Sequence, residues 1–311
     1  MAVTAAMIKE LREITGAGMS ACKEALVETD GNMEKVIEFL REKGLAAAAK
    51  KAGRIAAEGI AAAYITDDNK KGVVVEVNSE TDFVAKNPIF REYVDKVAEQ
   101  AMESAAADID AFMAEPWKFG SGETVAEALS GQIAVIGEKL SIRRFEKMEK
   151  AGSGKLVSYI HGGGRIAVMV ELLCDKEDDA LIELGKNLAM QIAALNPKFI
   201  SKDDVPADFI EKETEILKTQ AMNDPKNANK PEKIINNMIT GRLNKELKEF
   251  CLVEQPYVKD GDMTVKQYVD SVAKEVGAPI TVKRMVRFET CEGIEKRNEN
   301  FADEVNKAIN G

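Results

Sequence analysis

An internal repeat constrains the fold of this chain more than any other feature of its sequence. The β-rich runs 59–65 and 72–77 have counterparts at 154–160 and 165–170, and each pair reads as a β-hairpin. A helical pattern follows each hairpin, and its apolar residues recur at a constant offset of 91: Phe90, Tyr93, Val97 and Ala101 match Leu181, Leu184, Leu188 and Ile192. The chain therefore contains two similar halves.

The end of each half repeats as well. Residues 124–145 match residues 264–285 at a constant offset of 140, and both segments end in a strand-like run. Each half is predicted to contain two strands, helices and a final strand. The two offsets differ by 49 residues, so the second half carries an insertion of about that length between its helix and its closing segment.

The insertion lies between Pro206 and Phe250. It contains two helical patterns separated by a turn rich in proline and asparagine. Two helices joined in this way predict an antiparallel helical hairpin that projects from its host or packs as an arm. A surface for a partner and a packing decoration are both open interpretations of this arm.

The first 45 residues predict three short helices, opened by Thr4, Ser20 and Asn32. The Ala/Lys-rich connector 46–53 is predicted to be helical and to mark a domain boundary. The fold class is therefore α+β: an N-terminal three-helix domain followed by a duplicated α/β core of two subdomains. We place the domains at 1–53, 54–148 and 149–290, with the insertion at about 206–254 and a C-terminal module at 291–311.

Charge and hydropathy narrow the classes of partner. The net charge of −10 is the wrong sign for a protein that holds phosphate backbones. A protein or small-molecule partner is favoured over nucleic acid. The sequence has neither a secretory signal at its start nor a run of eighteen apolar residues, so we expect no membrane association and a cytoplasmic location.

Metal and cofactor chemistry find little support in the sequence. The four cysteines form no C-x-x-C pair and are expected to be reduced and mostly buried: Cys22, Cys174, Cys251 and Cys291. A single histidine excludes a multi-histidine centre. The many carboxylates alternate with lysines, as on solvated helix faces. We expect no cofactor, no metal and no enzymatic activity.

Three motifs resemble known functional loops, but each lacks a residue or a structural context that the function requires. In Gly152–Lys155, Glu149 stands where a phosphate-binding loop needs its first glycine, and Leu156 replaces the magnesium-binding hydroxyl residue. The loose G-x-G-x-x-A at 16–21 follows a helix instead of a strand. His161–Gly164 resembles an esterase oxyanion loop, but the sequence has no G-x-S-x-G nucleophile elbow.

Two long segments, 11–26 and 76–87, closely resemble the signatures of the translation elongation factor Ts family. Shorter matches at 142–144, 159–161 and 293–296 extend the resemblance along the chain. The resemblance implies a ubiquitin-associated-like N-terminal domain, a coiled-coil insertion and a C-terminal helix. It also implies a guanine-nucleotide exchange factor that binds elongation factor Tu carrying GDP and promotes its exchange for GTP.

The resemblance assigns the segment Thr81, Asp82, Phe83 and Val84 to displacement of the partner's Mg²⁺. We hypothesise that Phe83 inserts as an apolar wedge while Asp82 hydrogen-bonds or repels nearby groups. The alternative is that Thr81 or Asp82 caps the helix at 89–101 and Phe83 packs in the core. The equivalent stretch 172–179 lacks an Asp-Phe pair, so any wedge belongs to the first half.

Partner contacts are expected at Arg12, Met19, Lys23 and His161, again from the resemblance. The residue after Met19 is Ser20 and not a second methionine, which would reduce the apolar part of that contact. The sequence leaves open whether two exchange complexes pair through the helical hairpin. Two alternative functions remain open. One is a pure interaction scaffold that binds ubiquitin-like or other helical partners, and the other is an enzyme that uses paired carboxylates.

Overall fold

The structure is a computed structural model that describes residues 3–15, 17–120, 122–176, 178–227 and 230–294. The N-terminal helices are α1 (Ala5–Thr15), α2 (Met19–Glu28) and α3 (Met33–Lys51). The first half contains β1 (Glu58–Ile65), β2 (Lys71–Ser79), α4 (Asp82–Lys86), α5 (Pro88–Glu103), α6 (Ile109–Ala114), α7 (Val125–Ile136) and β3 (Ser141–Glu149).

The second half repeats the order of two strands, a long helix, a later helix and a closing strand, with other elements inserted or replaced. It begins with β4 (Gly154–His161), β5 (Ile166–Leu173) and α8 (Ala180–Leu195). The insertion forms α9 (Ala207–Asn223) and α10 (Glu232–Phe250). The half closes with β6 (Pro256–Tyr257), β7 (Asp260–Thr264), α11 (Val265–Val276) and β8 (Thr281–Glu289). The α+β class is confirmed. The expected C-terminal helix lies outside the described residues.

Each half builds one antiparallel three-stranded sheet, with orders β1-β2-β3 and β4-β5-β8. Successive side chains along each strand point to opposite faces of the sheet, so one set packs on a helix and the other packs on the second sheet. In β1, Ile60 and Ala62 pack with Phe90 of α5, whereas Ala61 and Ala63 belong to the cluster that joins the two sheets. The second sheet packs in the same way on α8. The core is therefore four layers deep, with a helix outside each of two facing sheets.

A buried glutamate marks equivalent places in the two sheets. Glu76 of β2 and Glu171 of β5 are both fully buried, and the strand pairing shifts register directly after each of them. Arg144 Nε donates to Glu76 Oε2 at 2.6 Å, and Arg284 Nε donates to Glu171 Oε2 at 2.6 Å. The arginine of the neighbouring strand thus supplies the countercharge that a buried carboxylate requires.

The N-terminal module has its own small core of Leu11, Cys22, Ala25, Leu26 and Val36. Thr4 and Asn32 accept hydrogen bonds at the starts of α1 and α3, as predicted. The prediction for Ser20 is wrong: the N-cap of α2 is Gly18, and Ser20 lies inside the helix. Helix α3 continues through most of the predicted connector and packs against α7, where Arg41 and Glu127 pair at 2.6 Å.

The insertion is an antiparallel pair of helices. The start of α9, at Phe209 and Ile210, packs with Leu247 near the end of α10. The end of α9, at Leu217 and Ala221, packs with Ile239 towards the start of α10. The predicted hairpin is confirmed. None of the helices in the described part of the chain combines the length and the hydropathy that a membrane span requires.

Candidate partner-binding surface

The segment 81–84 forms the start of its own short helix. Thr81 is extended and precedes α4, where its Oγ1 accepts a hydrogen bond from the Val84 N–H at 3.4 Å. Helix α5 starts separately, and its cap is Asn87, whose Oδ1 accepts from the Ile89 N–H at 2.9 Å. The prediction that Thr81 or Asp82 caps the longer helix is therefore wrong. A single residue, Asn87, separates the two helices, and Pro88 takes the first position of α5, where proline is well tolerated.

Phe83 is a highly exposed apolar side chain, with 80% of its surface accessible. Its neighbour Val84 is 8% exposed and packs into the core of the first half. The alternative that Phe83 packs in the core is wrong. The exposed ring of Phe83 is available for burial against a partner, which would remove its apolar surface from water.

Asp82 lies beside Phe83 and is exposed. Its Oδ2 accepts a hydrogen bond from Lys86 Nζ at 2.6 Å, one helical turn away. This bond holds the pKa of the Asp82 carboxyl below its ordinary value. Asp82 is therefore an anion at neutral pH, and a partner's cation would compete with Lys86 for it.

Two carboxylates connect the Thr81 segment to the turn that follows α7. Glu138 accepts from the Thr81 N–H at 3.0 Å and from the Thr81 hydroxyl at 2.7 Å. In return, Glu80 accepts from the Lys139 N–H at 2.6 Å. Sequence reasoning missed these contacts, because residues 57 and 59 positions apart meet only through the fold.

The same turn also reaches the connector after the N-terminal module. Lys139 Nζ donates to the carbonyl oxygens of Ala52 at 2.6 Å and of Arg54 at 2.8 Å. Arg54 pairs with Glu80 at 3.4 Å. The N-terminal module and the Phe83 segment are therefore fixed to one turn of the first half.

His161 ends β4 and is exposed, with its Nδ1 at 3.0 Å from the Tyr159 hydroxyl. The turn after it needs its three glycines, since all have positive φ and a Cβ on Gly164 would approach Ile60 Cγ2 to 2.8 Å. The turn contacts the first half, where Arg91 of α5 donates to the Gly163 carbonyl at 2.9 Å. The structure thus brings the His161 turn onto the helix that follows the Phe83 segment.

The predicted N-terminal contact residues lie on α1 and α2. Arg12 is exposed and lines a groove of about 770 Å³ between the N-terminal helices and the first half. Met19 is 60% exposed at the start of α2, and Lys23 is exposed one turn later. One link from this module towards Thr81 runs through Arg54 and Lys139, which both contact the neighbouring Glu80.

The arrangement offers a surface for binding another protein. An exposed aromatic residue stands on a short helix that is fixed on one side by Glu138 and on the other by the buried Val84. Among the described residues no group of three or more His, Cys, Asp or Glu side chains could hold a metal ion. The fold is that of a two-half α+β protein that carries an exposed aromatic side chain on a short, anchored helix.

Comparison with known proteins identifies the family. Residues 80–292 match the family model described as Elongation factor TS. The chain is 51% identical over 308 residues to elongation factor Ts of Clostridium novyi (strain NT), covering 99% of both chains. It is 53% identical over 307 residues to the proteins of that name from Clostridium botulinum (strain Eklund 17B / Type B) and Clostridioides difficile (strain 630), again over 99% of each chain. The chain belongs to the elongation factor Ts family, whose members act in translation.

Proposed function

We propose that this protein is a guanine-nucleotide exchange factor that binds elongation factor Tu carrying GDP, displaces Mg²⁺ and promotes release of GDP. The observation that carries the proposal is the exposure of Phe83 on a segment whose neighbours are fixed. Family membership supplies the class of partner. In this proposal the protein is cytoplasmic, needs no cofactor and catalyses no chemical reaction of its own.

The physical task of such a factor is to weaken contacts with the nucleotide. A GTPase holds GDP through a phosphate-binding loop and a magnesium ion that bridges phosphate to protein. Binding of the factor and binding of GDP are linked, so each reduces the affinity of the other by the same free energy. A wedge that enters the magnesium-holding region supplies this coupling without any chemical step.

Each residue of the segment has a role in the proposal. Phe83 is the wedge, and Asp82 faces the groups around the partner's Mg²⁺, exchanging its bond with Lys86 for contacts there. Thr81 and Val84 hold the short helix, the first through its cap and the second through its burial. A side chain that is already exposed before binding needs no core opening to reach its partner.

The other predicted contact residues would bind the partner without displacing its Mg²⁺. We propose that Arg12, Met19 and Lys23 bind one region of the GTPase and that His161 binds another. The exposure of these side chains supports their availability for contact. The N-terminal module would be ubiquitin-associated-like, the arm a coiled coil through which two complexes could pair, and the domains would divide at 53, 148 and 290.

Release of a fluorescent GDP analogue from elongation factor Tu of the same cell tests the proposal. Stopped-flow mixing with excess unlabelled nucleotide should show that release accelerates with protein concentration and then saturates. A scaffold would bind the GTPase and leave the release rate unchanged, and that result would contradict the proposal.

A further inference from the structure

We propose that Glu138 is the positioning residue that presents Phe83 to the partner. The inference rests on the proposed function and adds a residue on another element, the turn after α7. The carboxylate of Glu138 receives both hydrogen-bond donors of Thr81, the backbone N–H at 3.0 Å and the hydroxyl at 2.7 Å. It thereby fixes the residue that begins α4.

The position of Thr81 decides the direction of Phe83. Helix α4 has only five residues, and a helix this short is unstable without external contacts. Its start is held by Thr81, whose hydroxyl donates to Glu138 and accepts from the Val84 N–H. Because the same hydroxyl makes both bonds, loss of Glu138 removes the acceptor that orients the Thr81 hydroxyl in its capping position, and the bonds to the Thr81 carbonyl remain.

Glu138 itself is well held. The residue before it, Gly137, ends α7 in a left-handed conformation, and the residue after it, Lys139, donates its N–H to Glu80 at 2.6 Å. The pairs Thr81–Glu138 and Lys139–Glu80 are thus reciprocal, with each segment supplying one backbone donor and one carboxylate. Charge-assisted bonds of this kind are stronger than neutral ones and define a geometry.

The internal repeat gives an independent comparison. At the offset of 140, Gly137 corresponds to Gly277, which also ends its helix in a left-handed conformation, but Glu138 corresponds to Ala278. The second half lacks the Asp-Phe pair in its stretch 172–179 as well. The carboxylate is therefore found in the half that carries the exposed phenylalanine, and alanine in the half that does not.

The test uses the full chain and elongation factor Tu loaded with a fluorescent GDP analogue. In Glu138→Ala the maximal release rate at saturating factor should fall about tenfold, while the concentration for half-maximal release changes less than about twofold. Glu138→Gln keeps one acceptor oxygen and should fall between the parent and Glu138→Ala. A thermal melt checks that both variants are folded. Glu103→Ala removes a carboxylate that accepts from Lys118 at 2.7 Å elsewhere on the first half, and it should leave release unchanged.

A double-mutant cycle separates this inference from the proposed function. If Glu138 acts through Phe83, then Glu138→Ala should cost nothing further in a Phe83→Ala background. The inference would be overturned if Glu138→Ala lowered the maximal release rate by the same factor in both backgrounds. It would also be overturned if Glu138→Ala left the maximal rate unchanged or altered only the concentration for half-maximal release. If the parent itself fails to accelerate release, the proposed function fails instead.

Discussion

Arg144 and Arg284 occupy equivalent positions, and each joins a buried glutamate of its own half to the last strand of the other half. Arg144 binds Glu76 at 2.6 Å and donates to the carbonyl of Glu289 at 3.2 Å. Arg284 binds Glu171 at 2.6 Å and donates to the carbonyl of Glu149. The two halves are therefore held together by the same contact made twice in opposite directions.

The backbone completes the reciprocal arrangement. Glu76 accepts from the N–H of Cys291, and Glu171 accepts from the N–H of Ala151, both at 2.7 Å. Each donor follows the last strand of the opposite half. Because the bonds from each arginine to a strand-end carbonyl and from each backbone N–H to a glutamate cross between the two halves, the orientation of the halves is specified beyond what apolar packing alone would provide.

The two arginines should differ in their contribution to stability. Glu76 has a second arginine, since Arg143 Nη1 donates to it at 2.9 Å, whereas Glu171 pairs only with Arg284 in the described residues. Removal of Arg284 leaves a buried carboxylate without a countercharge. We expect Arg284→Ala to lower the free energy of unfolding by about 2 kcal/mol, below the range for fully buried pairs because water can replace a partly exposed arginine.

Arg144→Ala is the matched variant and should cost about half as much or less, because Arg143 remains. Urea denaturation of both variants measures the difference. Equal losses would show that the second arginine does not compensate the charge of Glu76.

Acid should weaken the contact around Glu76. Burial alone would raise the pKa of Glu76, but bonds from Asn78, the Cys291 N–H and Arg143, together with the charge of Arg144, hold it below its ordinary value of 4.5. A depressed pKa contributes stability above 4.5 that is lost as the pH falls through the folded-state value. Below pH 4.5 the stability of the parent should therefore fall more steeply than that of Glu76→Gln.

Denaturation curves collected between neutral pH and the acid limit test this difference. At neutral pH we expect Glu76→Gln to be less stable than the parent. The difference in their free energies of unfolding should become smaller as the pH falls. A difference in the free energy of unfolding that stays constant with pH would mean that folding does not change the pKa of Glu76.

The repeat predicts equal capping contributions in the two halves. Thr124 starts α7 and Thr264 starts α11, each in a capping box with the residue three positions later. Thr124→Ala and Thr264→Ala should each lower the free energy of unfolding by about 1 kcal/mol. Thr219→Ala is the control, since that exposed hydroxyl bonds only the Glu215 carbonyl of its own helix. A loss from Thr219→Ala as large as from the caps would contradict the assignment.

Local patterns were sufficient to predict most of the elements. The β-rich runs predicted the hairpins β1-β2 and β4-β5, and the constant offsets located the closing strands and the inserted helices. Short elements were not predicted: α6 spans Ile109–Ala114, and β6 has only two residues, too few to carry a period. Ser20 failed as a cap because Gly18, two residues earlier, occupies the extended position that precedes α2.

Contacts between distant residues lay outside sequence reasoning. Glu76 and Cys291 are 215 residues apart, and nothing local to either indicates their bond. The same applies to Thr81 and Glu138. The exposure of Phe83 was predicted only through the family resemblance, because a phenylalanine near a helix start more often packs inwards. Val84, the next residue, does pack inwards and anchors the segment.

The most direct test of the account is the maximal rate of GDP release in Phe83→Ala, measured by stopped flow with elongation factor Tu. Phe83 is 80% exposed, so its removal should leave the melting temperature of the factor unchanged, and Val258→Ala provides a control for loss of an exposed apolar side chain. We predict a loss of about tenfold or more in Phe83→Ala and none in Val258→Ala. A Phe83→Ala variant that releases GDP as fast as the parent would contradict the assignment of Phe83 as the wedge.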